Sequence, residues 1–155
     1  MARGVDRFSS WLESEGHELE VRRFPAGTRT AEDAARAIGC SVGQIVKSLV
    51  FVAGGAPVVC LVSGSNRVSL PALAELAGEP VDKASAEEAR DATGFAIGGV
   101  PPFGHATQLP VYLDRDLLQY EVVWAAAGRP DSVFAIAPLR LETLSGAIVA
   151  DLKEA

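Results

Sequence analysis

A lysine set in an apolar run, a glycine- and proline-bearing loop, and a histidine that closes that loop are the residues whose types and spacing could do chemistry. The loop is Thr93 to His105, T-G-F-A-I-G-G-V-P-P-F-G-H, with four glycines and two prolines in thirteen residues. Glycine allows positive φ or close approach of backbone to another molecule, while proline fixes φ and removes an N–H. Phe95, Ile97, Val100 and Phe103 are interleaved among them, so the loop is anchored and apolar, unlike a linker. Such a loop can turn amides at Gly98, Gly99 and Gly104 toward one point, which suits a carbonyl oxygen, an oxyanion or a phosphate. The same composition also serves as a tight turn closing a sheet.

Lys47 lies in I-V-K-S-L-V-F, where strand alternation puts it on one face with Ile45, Leu49 and Phe51. An ammonium buried there without a partner is expensive. Either its stem snorkels out at the strand end, or an anion or carbonyl meets it. His105 directly follows the glycine loop, as a polar group at the mouth of a site or as a cap hydrogen-bonded to the loop. A Ser-His-acid triad could use only His17 or His105, and no H-E-x-x-H, Walker or G-x-G-x-x-G motif occurs. This set favours electrostatic stabilisation over attack by a protein nucleophile.

The elements that must position these groups can be read along the chain. Phe8 and Leu12, with Val5 and Trp11, recur at helical spacing up to Gly16. Glu18 to Phe24 alternates as a short strand before Pro25-Ala26-Gly27. Thr30 caps a helix with Asp33 three positions on, and Gly39 stops it. Ile45–Ala53 and Pro57–Val62 read as a hairpin joined through Gly54-Gly55-Ala56, apolar on both faces and so central in a covered sheet. Ser69 and Pro71 open a helix ended by Gly78, Val81 begins a short extended piece, and Ser85 with Glu88 forms a capping box for a helix to Thr93. Strands follow over Pro110–Leu113, Glu121–Ala127 and around Val133–Ile136, then a helix through Leu139, Leu141 and Leu144, and a final edge piece at Ala147–Ala150. The fold class expected is α/β (α+β): a single domain over residues 1–155 with a mixed sheet surrounded by helices. Ala34 to Ile45 superficially matches a helix-turn-helix DNA reader, but the chain beyond Ile45 is β-rich, against a recognition helix.

Composition bounds the function. With 155 residues, 48% hydrophobic and 22% charged, the chain is globular in class and carries no apolar run long enough to span a membrane. The opening M-A-R-G-V-D-R has no signal-peptide core, so a cytoplasmic protein is expected. Cys40 and Cys60 read as buried free thiols, and with two histidines a zinc site is poorly supplied. A net charge of −6 argues against broad binding to nucleic acid, yet leaves room for a local basic patch, since Arg22, Arg23, Arg29, Arg36 and Lys47 all fall in the first third.

Together, T-A-E-D-A-A-R-A-I-G (30–39), I-V-K-S-L-V-F (45–51), N-R-V-S-L-P-A-L-A (66–74), A-T-G-F-A-I-G-G-V-P-P-F-G-H (92–105) and V-W-A-A-A-G (123–128) resemble the YbaK family, the prolyl-tRNA-synthetase-associated editing domain. The resemblance covers nearly the whole chain in order. It implies that family's fold, with a strongly twisted mixed sheet, and a trans-editing deacylase that hydrolyses mischarged tRNA, with alanine or cysteine on proline tRNA as the best-known substrates. It implies a pocket where Lys47 contacts the 3′-terminal adenosine or its ester and the loop Gly98–Gly104 lines the wall. His105 would orient the water or the amino group. Phe24, Phe51, Ser63, Val100, Pro101, Pro102 and Phe103 are the expected pocket walls. The partners implied are the acceptor end of mischarged tRNA and, alongside it, an aminoacyl-tRNA synthetase; no metal or organic cofactor, membrane or DNA is expected. The alternatives on the residues are a non-catalytic tRNA- or synthetase-binding module of the same fold and, below it, a helix-turn-helix regulator. The loop P-P-F-G-H, with its bulky Phe103, departs from the cysteine-specific branch.

Overall fold

The computed structural model describes residues 4–17, 19–24, 30–129 and 131–154, with backbone alone for Gly4–Asp6. The Pro25-Ala26-Gly27 turn, Arg29 and the Val5 side chain lie outside what is described. Five helices are α1 (Gly4–Ser14), α2 (Ala31–Ile38), α3 (Leu70–Ala77), α4 (Ala86–Thr93) and α5 (Pro138–Ser145). The strands are β1 (Val21–Arg23), β2 (Ile45–Ala53), β3 (Ala56–Ser63), β4 (Val81–Lys83), β5 (Val111–Asp114), β6 (Val123–Ala126), β7 (Ser132–Ile136) and β8 (Ile148–Ala150). They form one mixed sheet in the order β1-β7-β6-β2-β3-β5-β8, with β4 pairing β2 off that path.

The caps that open and close the helices are local sequence signals. Thr30 accepts a hydrogen bond from the Asp33 amide at 3.0 Å, Ser69 accepts from Ala72, and Ser85 with Glu88 makes the reciprocal capping box. Gly39, Gly78, Gly94 and Gly146 each end a helix in the left-handed region, where a side chain would be strained. A 3₁₀ turn at Val42–Gln44 is opened by Ser41, whose amide and hydroxyl donate to Gln44 Oε1 at 3.0 and 3.1 Å. That turn stands where the second helix of a helix-turn-helix would have to begin, and β2 follows it at once.

β2 and β3 pair antiparallel along their full length, from Val46↔Ser63 to Ala53↔Ala56, with Gly54 and Gly55 at positive φ in the connection. Both faces are covered, as their continuous apolar runs require. On one face Val46, Val50, Val59 and Leu61 pack with Phe8, Phe95 and Phe134. On the other, Phe51, Cys60 and Val62 pack with Leu73 and Leu152, while Ile45 meets Ala34 and Ala35 of α2. The strand expected from Glu18 to Phe24 is only Val21–Arg23, because those three residues alone pair with β7. No helix among the described residues is long and apolar enough to cross a membrane.

The far edge of β2 positions the site. Parallel β6 pairs with Ile45 and Val46, and antiparallel β4 pairs with Phe51, Val52 and Ala53 on the same side. Between them the sheet forks. Residues 47–50 have no described strand along that edge.

Candidate active site at the fork of the sheet

Lys47 springs from this fork. Its Nζ donates to the carbonyl of Asn66 at 2.6 Å, so the partner required by its apolar setting is a backbone oxygen. Asn66 is itself held from behind, donating through Nδ2 to Asp114 Oδ2 at 2.8 Å and to Asp116 Oδ2 at 2.9 Å. Asp114, 1% exposed at the end of β5, also receives the Ser63 amide at 3.1 Å and the Asp116 amide at 3.0 Å. A buried carboxylate is stable only when its lone pairs are filled in this way. Partial burial pulls the Lys47 ammonium below the ordinary lysine range; Glu32 and Asp114 oppose that, and the like charge of Arg67 adds to it.

A cavity of about 600 Å³ straddles the fork, within the usual range for small-molecule sites. Strand alternation divides its lining into two lobes. Lys47, Arg67, Thr30, Trp124 and Glu154 lie on the α2 side with Ile45 and Leu49, and Lys83 shares that face through its pairing with Phe51. Val46, Ser48, Val50, Ala84, Ala89 and Val100 lie on the opposite side, where the lining, Ser48 apart, is small and apolar. Three cations therefore border one lobe and short aliphatic groups the other. Trp124 is itself stacked under Arg22, 5.1 Å from the ring centroid.

The glycine loop divides at Val100. Gly98, at φ +90°, and Val100 line the cavity. Gly99 faces away: its amide donates to Ala96 O at 3.0 Å, and a Cβ there would come within 2.7 Å of the Arg129 backbone. Beyond Val100 the loop is an anchor. Phe103, 3% exposed, sits among Trp11, Phe8 and Phe134 with centroids 5.4 to 5.7 Å away, and Gly104 lies against the Trp11 ring. His105 Nε2 is 2.7 Å from the Pro101 carbonyl, an acceptor, so that nitrogen carries the proton. Burial depresses the His105 pKa, the bond to Pro101 opposing it.

Of the residues expected at the site, Lys47, Gly98, Phe51 and Val100 meet on the cavity. Gly99, Gly104, His105, Phe24, Ser63, Pro101, Pro102 and Phe103 do not. Pro101 and Pro102 are buried with Phe103 in the anchor. Phe24 lies past the end of β1, its amide donating to Asp131 O at 2.7 Å. The Ser63 hydroxyl is used inside the turn, on Gly43 O at 2.7 Å and Ser65 Oγ at 3.1 Å. Arg67, Lys83, Ser48 and Trp124 were not singled out from the sequence. Lys83 and Trp124 are brought to β2 by its pairing with β4 and β6, and of the four only Lys83 falls outside the segments that carry the family resemblance.

The sheet thus forks over a cavity with cations bordering one lobe and small side chains the other. The chain belongs to the aminoacyl-tRNA editing domain family, whose model matches residues 25–144. It is 33% identical over 139 residues to the uncharacterised protein YwhH of Bacillus subtilis (strain 168), covering 89% of this chain and 86% of that one. It is 37% identical over 94 residues to the proline–tRNA ligase of Solidesulfovibrio magneticus, a match that takes in 59% of this chain and only 16% of the ligase. In structure it is similar to a crystal structure proposed to be a trans-editing enzyme for prolyl tRNA synthetase, with 52% identity, a TM-score of 0.94, and coverage of 100% and 99% of the two chains.

Proposed function

We propose that residues 1–155 act as one editing unit, a trans-acting deacylase that hydrolyses the ester between a wrongly attached small amino acid and the 3′-terminal adenosine of a tRNA, proline tRNA first among the candidates. The observation that carries this reading is the single cavity in which the partly buried Lys47 faces a cationic lobe on one side of β2 while Gly98 and short aliphatic side chains form the other. The family membership and the likeness to a proposed trans-editing enzyme support it.

In this reading the anionic end of the tRNA lies against Lys47 and Arg67, and the aminoacyl group enters the small lobe. The ester is then held at the open edge of β2. Water attacks the carbonyl carbon, the bond from that carbon to the ribose oxygen breaks, and the proton lost by the water ends on the ribose oxygen. The products are the free amino acid and tRNA with its hydroxyl restored. An aminoacyl ester is already activated, so aiming donors at the developing oxyanion is enough; one such donor is worth ~3 kcal/mol, about a hundredfold in rate. Gly98 supplies the loop amide for that task, and Lys47 holds the substrate end. His105 acts through the loop it staples. A synthetase partner would select the tRNA body, which a site of this size does not reach.

The test is deacylation of tRNA carrying alanine, cysteine or serine on a proline acceptor, by wild type and Lys47→Ala. Release of one amino acid that falls at least ~100-fold in the variant is the expected result. No release above the buffer rate, with circular dichroism showing folded protein, would leave the non-catalytic binding module in its place.

A further inference from the structure

We infer that Ser48 selects the amino acid to be removed, and that this amino acid carries a hydroxyl on a small side chain, with serine fitting best. The inference rests on the deacylase reading above and deepens it. Ser48 sits between Val46 and Val50 on β2, on the face that bears the small lobe. Its hydroxyl is buried and, among the described residues, is the one buried side-chain polar atom with no hydrogen-bond partner. A buried hydroxyl left unpaired is costly, and such groups in folded proteins have a reason.

The position of Ser48 supplies the reason. Ile45 O accepts the Gly64 amide at 2.7 Å and Val50 O accepts the Ala84 amide at 3.2 Å. Odd-numbered residues of β2 therefore turn their backbone groups toward β3, and even-numbered ones toward the forked edge. At Ser48 that edge is open, since β6 pairs no further than Val46 and β4 begins at Phe51. The backbone N–H and C=O of Ser48 thus turn toward that open edge, and Ser48 itself lines the cavity. The carbonyl suits the substrate α-ammonium and the amide suits an acceptor on the substrate. That leaves the hydroxyl for the side chain.

The core residues that line the cavity on this face are aliphatic: Val46, Val50, Ala84, Ala89, Val100 and Ala125. A seryl side chain places one donor and acceptor there and fills little more volume than alanine does. Alanine leaves the Ser48 hydroxyl unpaired, the cysteine thiol is only a weak partner, and proline brings no polar atom at all. A site built to hydrogen-bond a substrate hydroxyl rejects the analogue lacking it far more strongly than an apolar site rejects an extra hydroxyl. Discrimination through Ser48 would therefore spare correctly charged prolyl-tRNA while removing the seryl ester.

The experiment compares kcat/KM for seryl and alanyl esters on the same tRNA, with wild type and Ser48→Ala. Alongside it, calorimetry measures binding of the non-hydrolysable seryl and alanyl amides of 3′-amino-3′-deoxyadenosine to both proteins. Wild type is expected to prefer the seryl ester by about 100-fold or more. In Ser48→Ala the seryl-to-alanyl ratio should fall toward one in rate and in binding alike. A wild-type ratio at or below about one, or a ratio unchanged by Ser48→Ala, overturns the inference. The amides keep the two readings apart: selective seryl binding that Ser48→Ala abolishes, without ester hydrolysis by wild type, would sink the deacylase reading and sustain the role of Ser48. Thermal unfolding of Ser48→Ala guards against a folding artefact, its Tm being expected at or above that of wild type.

Discussion

At the scale of single residues, Lys47 binds a conflict that its neighbours only partly resolve. Burial and Arg67 depress its pKa while one carbonyl, Asn66 O, holds it. A lysine whose folded-state pKa lies below its unfolded one lowers stability at every pH where it is charged, and that penalty fades only as pH climbs from the folded value toward 10.5. Replacing it by Met at neutral pH removes the penalty and the Asn66 bond together. Lys47→Met is thus expected to melt within about 4 °C of wild type, roughly 1 kcal/mol for a domain of this size, while losing deacylation. A large drop in Tm would recast Lys47 as a structural residue. His105 carries the same sign of pH dependence, in a lower window. Its folded pKa lies below the ordinary 6.5, so as pH falls through that value the unfolded chain takes up the proton first and stability is lost, levelling off once the folded value is passed. The urea midpoint should fall between pH 7.5 and 5.5, and His105→Gln should flatten that fall. The thiols give a simpler check. Cys60 is buried with its pKa pushed up to about 12, and Cys40 is half-buried. A thiol reagent at pH 8 should titrate Cys40 in the native protein and Cys60 only after denaturant is added.

At the scale of elements, the clasp behind Lys47 is as important as the lysine. Asp114 at the end of β5 ties the turn after β3 by accepting from Ser63 and Asn66, and through Asn66 it fixes where Lys47 Nζ rests. Asp114→Ala leaves the buried Ser63 amide unpaired, at ~1–3 kcal/mol, and leaves the Asn66 side chain held by Asp116 alone. The expected result is a Tm lower by several degrees, with deacylation reduced even at temperatures where the variant is folded. Unaltered activity in the folded variant would detach the clasp from the site. Much of this scale was legible in the sequence: the caps at Thr30, Ser69 and Ser85, the glycine stops, and the β2–β3 hairpin are local signals that the structure repeats. Alternation alone put Lys47 beside Ile45, Leu49 and Phe51. The fork was not legible, because it depends on where β6 stops and β4 starts along β2, a matter of pairing between segments far apart in the chain. Nor was the division of the glycine loop. Composition marked Gly98 to Gly104 as one rigid wall, but the Phe103 ring finds Phe8, Trp11 and Phe134, and that packing draws the loop's second half away from the cavity.

For the whole molecule, a net charge of −6 is at odds with a polyanionic partner until the placement of charge is considered. Lys47, Arg67 and Lys83 border one lobe of the cavity, with Glu154 the acid that shares its lining. Outside the cavity the balance of charge is negative, so the field that would guide an acceptor end is local and the contact it makes is small. Binding by few cations should then depend on salt only weakly. Each phosphate contact to a single-stranded end contributes a slope of about −0.7 in log K against log salt. If Lys47, Arg67 and Lys83 each make one, the slope for the wild type should lie near −2, and Arg67→Ala should bring it toward −1.4 while raising KM and leaving kcat at saturating tRNA little altered. A slope several times steeper would require a second, extended contact along the tRNA outside this cavity. A slope indifferent to Arg67→Ala would take Arg67 off the path of the acceptor end and leave Lys47 and Lys83 to hold it.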